Sequence, residues 1–90
     1  MTVLLLERVP PGLRGEVTRW LVEVGTGVFV GRANALVRDQ LWDACSERCR
    51  DGMVRMIWKT NTQQGFDLRT TGANGRYAEE MDGLWLVRLP

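Results

Sequence analysis

Val3-Leu4-Leu5-Leu6, followed at once by Glu7 and then by Pro10-Pro11-Gly12, leaves few folds open to this chain. Four apolar residues without polar alternation form a strand buried on both faces, which places it in the middle of a sheet. The run ends on a carboxylate, so Glu7 stands where the strand leaves the core. The double proline and glycine forbid any continuation of the strand. Pro11 suits a first helical turn, where a missing N–H costs nothing. A central strand therefore hands over directly to a helix.

That helix is expected from an apolar stripe at helical spacing, Leu13, Val17, Trp20, Leu21 and Val24, with Gly25 as its stop. Val28-Phe29-Val30, between Gly27 and Gly31, follows as a second strand. Asn34 is placed to cap a second helix, with Val37, Leu41, Ala44 and Cys45 inward and Asp39, Asp43, Glu47 and Arg48 mostly outward. From Met53 to Lys59 the sequence alternates, with Val54, Met56 and Trp58 on one face and Arg55 and Lys59 on the other. TNTQQG then turns into Phe66-Asp67-Leu68-Arg69-Thr70, a hairpin with one face buried. A polar segment from Gly72 to Gly83 precedes the closing run LWLVRL.

The closing run is apolar on both strand faces, with Leu84 and Leu86 on one and Trp85, Val87 and Leu89 on the other. An uncovered strand of that kind is an aggregation hazard, so pairing with a second chain is expected. The order of elements describes one domain over residues 1–90. Its class is α+β, a two-layer ferredoxin-like sandwich of two helices on one mixed β-sheet, with an extra C-terminal strand. One departure stands out, because that plan has two strands between its helices and only one is legible here.

Ninety residues, 44% hydrophobic and 26% charged, make an ordinary folded domain. No apolar run reaches a membrane span, and no charged-then-apolar leader is present, so a cytoplasmic location is expected. The net charge of +1 gives no global basic field. The kind of cation is more telling, because of 12 basic residues only Lys59 is lysine. Arginine grips phosphate in a bidentate fashion, although GC-rich coding produces the same bias. The chain has no histidine, which removes His-dependent acid/base chemistry and the Ser/His and Cys/His nucleophile pairs. Cys45 and Cys49, one helical turn apart, lack the further ligands of a zinc site and fit as small core side chains.

Taken in order, ERVPP after the leucine run, RGEVTRWLVEVGTGVFVG, the capped helix, WKTNTQQGF and DGLWLV resemble the type I-E branch of the CRISPR-associated Cas-two proteins. The likeness spans nearly the whole chain. The resemblance implies a homodimer of ferredoxin-like subunits that bridges two Cas-one integrase dimers and holds a short DNA duplex during spacer acquisition. It also implies that the C-terminal segment 84–90, with Leu84, Trp85, Leu86 and Val87, docks on the integrase.

The same resemblance bears on particular residues. Many relatives end the first strand with an aspartate, and two copies hold a divalent metal for phosphodiester hydrolysis. Glu7 takes that place here, as catalytic residue and Mg²⁺ ligand if the chain is an endonuclease on RNA or DNA, or as a structural or solvated carboxylate if it is not. Arg14 and Arg76 correspond to basic residues that the family points at duplex phosphates, with Arg8, Arg19 and Lys59 as further candidates. A helix start beside Arg14 would add backbone donors for phosphate. Such contacts hold a duplex without reading its sequence. Stacking on single strands is not expected, since Trp20, Phe29 and Trp58 fit the core.

Overall fold

The computed structural model describes residues 1–72, together with the backbone of residues 77–81 and 84–88. Its elements are β1 (Thr2–Glu7), α1 (Pro11–Val17), β2 (Val22–Gly25), β3 (Val28–Gly31), α2 (Ala35–Arg48), β4 (Met53–Lys59), β5 (Phe66–Gly72), β6 (Tyr77–Met81) and β7 (Leu84–Arg88). The first five strands form one sheet in the order β2-β3-β1-β4-β5. Strand β1 is central, as its leucines require. Every pairing in this sheet is antiparallel rather than mixed, because each neighbour of β1 runs against it. The path β1-α1-β2-β3-α2-β4 is that of a ferredoxin-like fold, and β5 extends it by a hairpin.

The register divides the sheet into two faces. Leu4 lies opposite Phe29 on one side and Met56 on the other, and Leu6 lies opposite Val54. These side chains form the core with Leu13 and Val17 of α1, Leu21, Leu41 and Cys45 of α2, and Cys49. Both helices therefore pack on the same face. The opposite face carries Val3, Leu5, Val28, Val30, Ile57 and Leu68, all half-buried. The expected burial of β1 on both faces thus holds for its even positions only.

The single strand expected between the helices is corrected to two. α1 stops after seven residues at Val17, and the Trp20 and Leu21 N–H groups donate to the Val17 carbonyl (2.9 and 3.0 Å) as the chain turns out of the helix. Val22 and Val24 are strand residues, exposed by 66% and 62%, and not part of a helical stripe. β-branched side chains favour the extended chain, and Gly27 at φ 74 makes the turn into β3. Trp20, expected in the core, is 51% exposed as a result.

The expectations for the α2 cap, the β4–β5 hairpin and the two cysteines hold. Asn34 caps α2, its Oδ1 accepting the Val37 N–H at 2.9 Å. β4 and β5 pair in full register from Met53↔Gly72 to Lys59↔Phe66. Cys45 and Cys49 are buried free thiols, and burial, reinforced by the neighbouring Cys49, pushes Cys45 up to about 11. The polar segment from Gly72 to Gly83 contains β6. Strand β7, expected to pair with a second chain, pairs antiparallel with β6 of its own chain, from Tyr77↔Arg88 to Met81↔Leu84. Among the described residues no helix is long and apolar enough to cross a membrane.

Candidate functional site

The end of β1 is held more tightly than a strand end needs to be. The Leu6 N–H donates to the Gly27 carbonyl at 2.8 Å, and a Cβ on Gly27 would stand 2.3 Å from the Leu6 oxygen. On the other side, a Cβ on Gly52 would stand 2.4 Å from the Glu7 oxygen and 2.6 Å from that of Arg8. Two glycines thus clamp Leu6, Glu7 and Arg8 by backbone approach that no other residue permits. Arg8 then takes φ 54, which turns the chain sharply toward Pro10 and α1. The side chains of Glu7 and Arg8 project from this clamped corner, both exposed.

Among the described residues no three His, Cys, Asp or Glu side chains converge in a way that could hold a metal. Magnesium takes six oxygen ligands in near-octahedral geometry. Such an ion is commonly held by one or two carboxylates with waters and phosphate completing the shell, so Glu7 would supply one ligand and the rest would come from solvent and nucleic acid.

Arg14 is engaged within the chain. Its Nη2 donates to Glu23 Oε2 at 2.7 Å, and the same oxygen accepts the Gly27 N–H at 2.9 Å. The Arg14 hydrogen bond, with the Gly27 N–H next, holds the Glu23 carboxyl below its ordinary range. The pair ties α1 to the β2–β3 turn, and it leaves Arg14 Nε buried without a hydrogen-bond partner. A phosphate at this guanidinium would compete with Glu23. The start of α1 offers less than expected to such an anion. Pro10 and Pro11 carry no N–H, and the Leu13 N–H already donates to the Pro10 carbonyl at 3.0 Å.

The remaining candidates do not gather at one place. Arg8 is exposed at the β1 corner and Arg19 just past α1. Lys59 closes β4 at the end remote from Met53, the partner of Glu7. Six strand steps separate those ends, about 20 Å. Arg76 lies outside the described residues. Leu84, Trp85, Leu86 and Val87 lie on β7, and their side chains are outside the described residues too.

Sequence reasoning passed over a second set of arginines. Arg38 stacks on Trp58 at 4.9 Å, and Arg69 lies 5.5 Å from Trp58 and 5.9 Å from Trp42 while pairing with Asp39 at 3.1 Å. The spacing of Arg38 and Trp42, one helical turn, was the only local signal; the approach of β5 to α2 supplies the rest. Arg48 of α2 pairs with Glu16 of α1, bridging the helices. Next to it, Pro10, Glu47, Arg48 and Arg50 line a shallow concavity of about 350 Å³ near the β1 corner. Arg8, Arg19 and Arg50 have no ion pair among the described residues.

Residues 1–86 match the model of a family described as CRISPR-associated protein (Cas_Cas2CT1978). The chain belongs to the CRISPR-associated Cas2 family.

Proposed function

We propose that this chain is a homodimeric adaptor of CRISPR spacer acquisition, which bridges Cas-one integrase dimers and supports duplex protospacer DNA. The observation that carries the reading is the one-sided sheet. Both helices lie on one face, and the other presents Val3, Leu5, Val28, Val30, Ile57 and Leu68 with no helix across it among the described residues. An apolar sheet face of that extent is suited to a second copy of the same surface. Membership of the family supports the CRISPR setting. The free arginines supply phosphate contacts of the kind that accept any sequence.

A second reading keeps Glu7 as the ligand of Mg²⁺ in an endonuclease. It is supported by the exposure of Glu7 at the glycine-clamped end of β1, with waters and phosphate as the further ligands. One set of preparations tests both. Wild type and a chain lacking residues 84–90 are compared for self-association and for co-purification with the integrase. The truncated chain is expected to remain a dimer and to lose the integrase; retention of the integrase would defeat the docking role of the tail. Labelled RNA and DNA are then incubated with wild type and Glu7→Ala in Mg²⁺ or Mn²⁺. No cleavage, or equal cleavage, is expected, whereas cleavage abolished by the substitution would establish the nuclease.

A further inference from the structure

The sheet face away from the helices carries two neighbouring charges that make no ion pair among the described residues. Arg55 stands opposite Leu5 in the β1–β4 register and opposite Thr70 in the β4–β5 register, so its stem lies on the face away from the helices. Its Nη2 is buried and has no hydrogen-bond partner. Glu7 is on the same face, two residues beyond Leu5, and is exposed. The two are diagonal neighbours across β1 and β4, yet they make no ion pair. Elsewhere the chain pairs Arg14 with Glu23, Arg48 with Glu16 and Arg69 with Asp39. The other charge on this face, Lys59, is exposed at the far end of β4.

A buried guanidinium nitrogen without an acceptor is costly, because it has given up its water and gained nothing in exchange. It calls for an acceptor brought by whatever covers the face. A wholly acidic partner would satisfy Arg55 and repel Glu7, and a basic one would do the reverse. A second copy related by a two-fold axis presents a carboxylate to each guanidinium and a guanidinium to each carboxylate. We infer that Arg55 of one copy is the counter-ion of Glu7 of the other, so that two symmetric ion pairs fix how the two sheet faces meet. This rests on the homodimer proposed above and gives Glu7 an interface role in place of a metal-binding one.

The test uses charge reversal in the full chain, read by sedimentation velocity. Arg55→Glu alone sets carboxylate against carboxylate across the interface, and Glu7→Arg alone sets guanidinium against guanidinium. Each single variant is expected to dimerise more weakly by a factor on the order of a hundred. Mixing the two variants in equal amounts is expected to restore a dimer of wild-type strength, because the unlike copies are complementary at both pairs. Single variants that dimerise like wild type, or a mixture that stays monomeric, would overturn the cross-copy pair while leaving the homodimer in place. A pair formed within one chain would give that second result. A monomeric wild type at tens of micromolar would overturn the homodimer itself. Should either reversal fail to fold, Arg55→Met, Glu7→Gln and their combination replace it. Neutralising either charge alone then weakens the dimer and neutralising both restores it; equal weakening by all three overturns the pair.

Discussion

Glu23 shows how a residue without catalytic chemistry can shape a functional surface. Its carboxylate gathers the Arg14 guanidinium and the Gly27 N–H, and so joins the first turns of α1 to the hairpin that clamps β1. Both donors stabilise the ionised form, and the folded chain therefore holds this carboxyl below its usual 4.5. A carboxyl depressed in the folded state contributes stability that is complete above its unfolded value and is lost as pH falls through its folded value. Thermal unfolding followed from pH 6 to pH 2.5 should accordingly show wild type losing stability below about 4.5 more steeply than Glu23→Gln. Gly27 and Gly52 belong to the same local design. Each was visible in the sequence as a turn signal, but the backbone oxygens that forbid a side chain there come from Leu6, Glu7 and Arg8 of another element.

Among the elements, α1 and α2 make an instructive pair. α2 is legible in its cap and in its apolar positions one and two turns apart, which act within a few residues of one another. Its end is not: the helix stops at Arg48, and Arg50 rather than a glycine takes φ 51. The Asn34 cap satisfies one of the free N–H groups at the helix start, so Asn34→Ala should cost about 1 kcal/mol in urea unfolding with the slope unchanged. α1 was extended too far. Leu13, Val17, Trp20, Leu21 and Val24 match a helical stripe, yet only Leu13, Val17 and Leu21 are buried. Val22, Glu23 and Gly25 pair with Val30, Phe29 and Val28 of β3, with Val24 in the register shift between them, and the hydrogen bonds of that pairing outweigh a helical continuation. The sequence did contain a competing signal, since two valine-rich runs flank Gly25-Thr26-Gly27. A periodicity of 3.6 and one of 2 can overlap over so short a stretch.

At the scale of the molecule, the arginines divide by what the fold leaves them. Arg14, Arg48 and Arg69 are committed to carboxylates, and Arg38 to Trp58. Arg8, Arg19, Arg32 and Arg50 are exposed and make no ion pair among the described residues. In the adaptor reading, Arg14 and Arg76 contact phosphates, and replacing both with alanine should flatten the salt dependence of duplex binding. The expected change in the log–log slope is about 0.9 for each lost phosphate contact. If Arg14 only braces α1 against Glu23, the substitution at that position will lower the melting temperature and leave the slope untouched. Filter binding across a salt series, with melting of the same proteins, separates the two.

The sequence by itself determined the central strand, the break into α1, the capped α2, the β4–β5 hairpin and the place of Glu7 at a strand end. Each follows from residues within a turn or a hairpin of one another, where propensity, capping and alternation act. Only the tertiary structure decided that two strands lie between the helices, that the sheet is antiparallel throughout, and that β7 pairs with β6. It also decided that Arg14 is held by Glu23, that Lys59 sits far from Glu7, and that Arg55 and Glu7 share an uncovered face. These depend on strand register and on contacts between segments distant in the chain. A shift of one residue in register would send every side chain of a strand to the other face, and no local pattern records that choice.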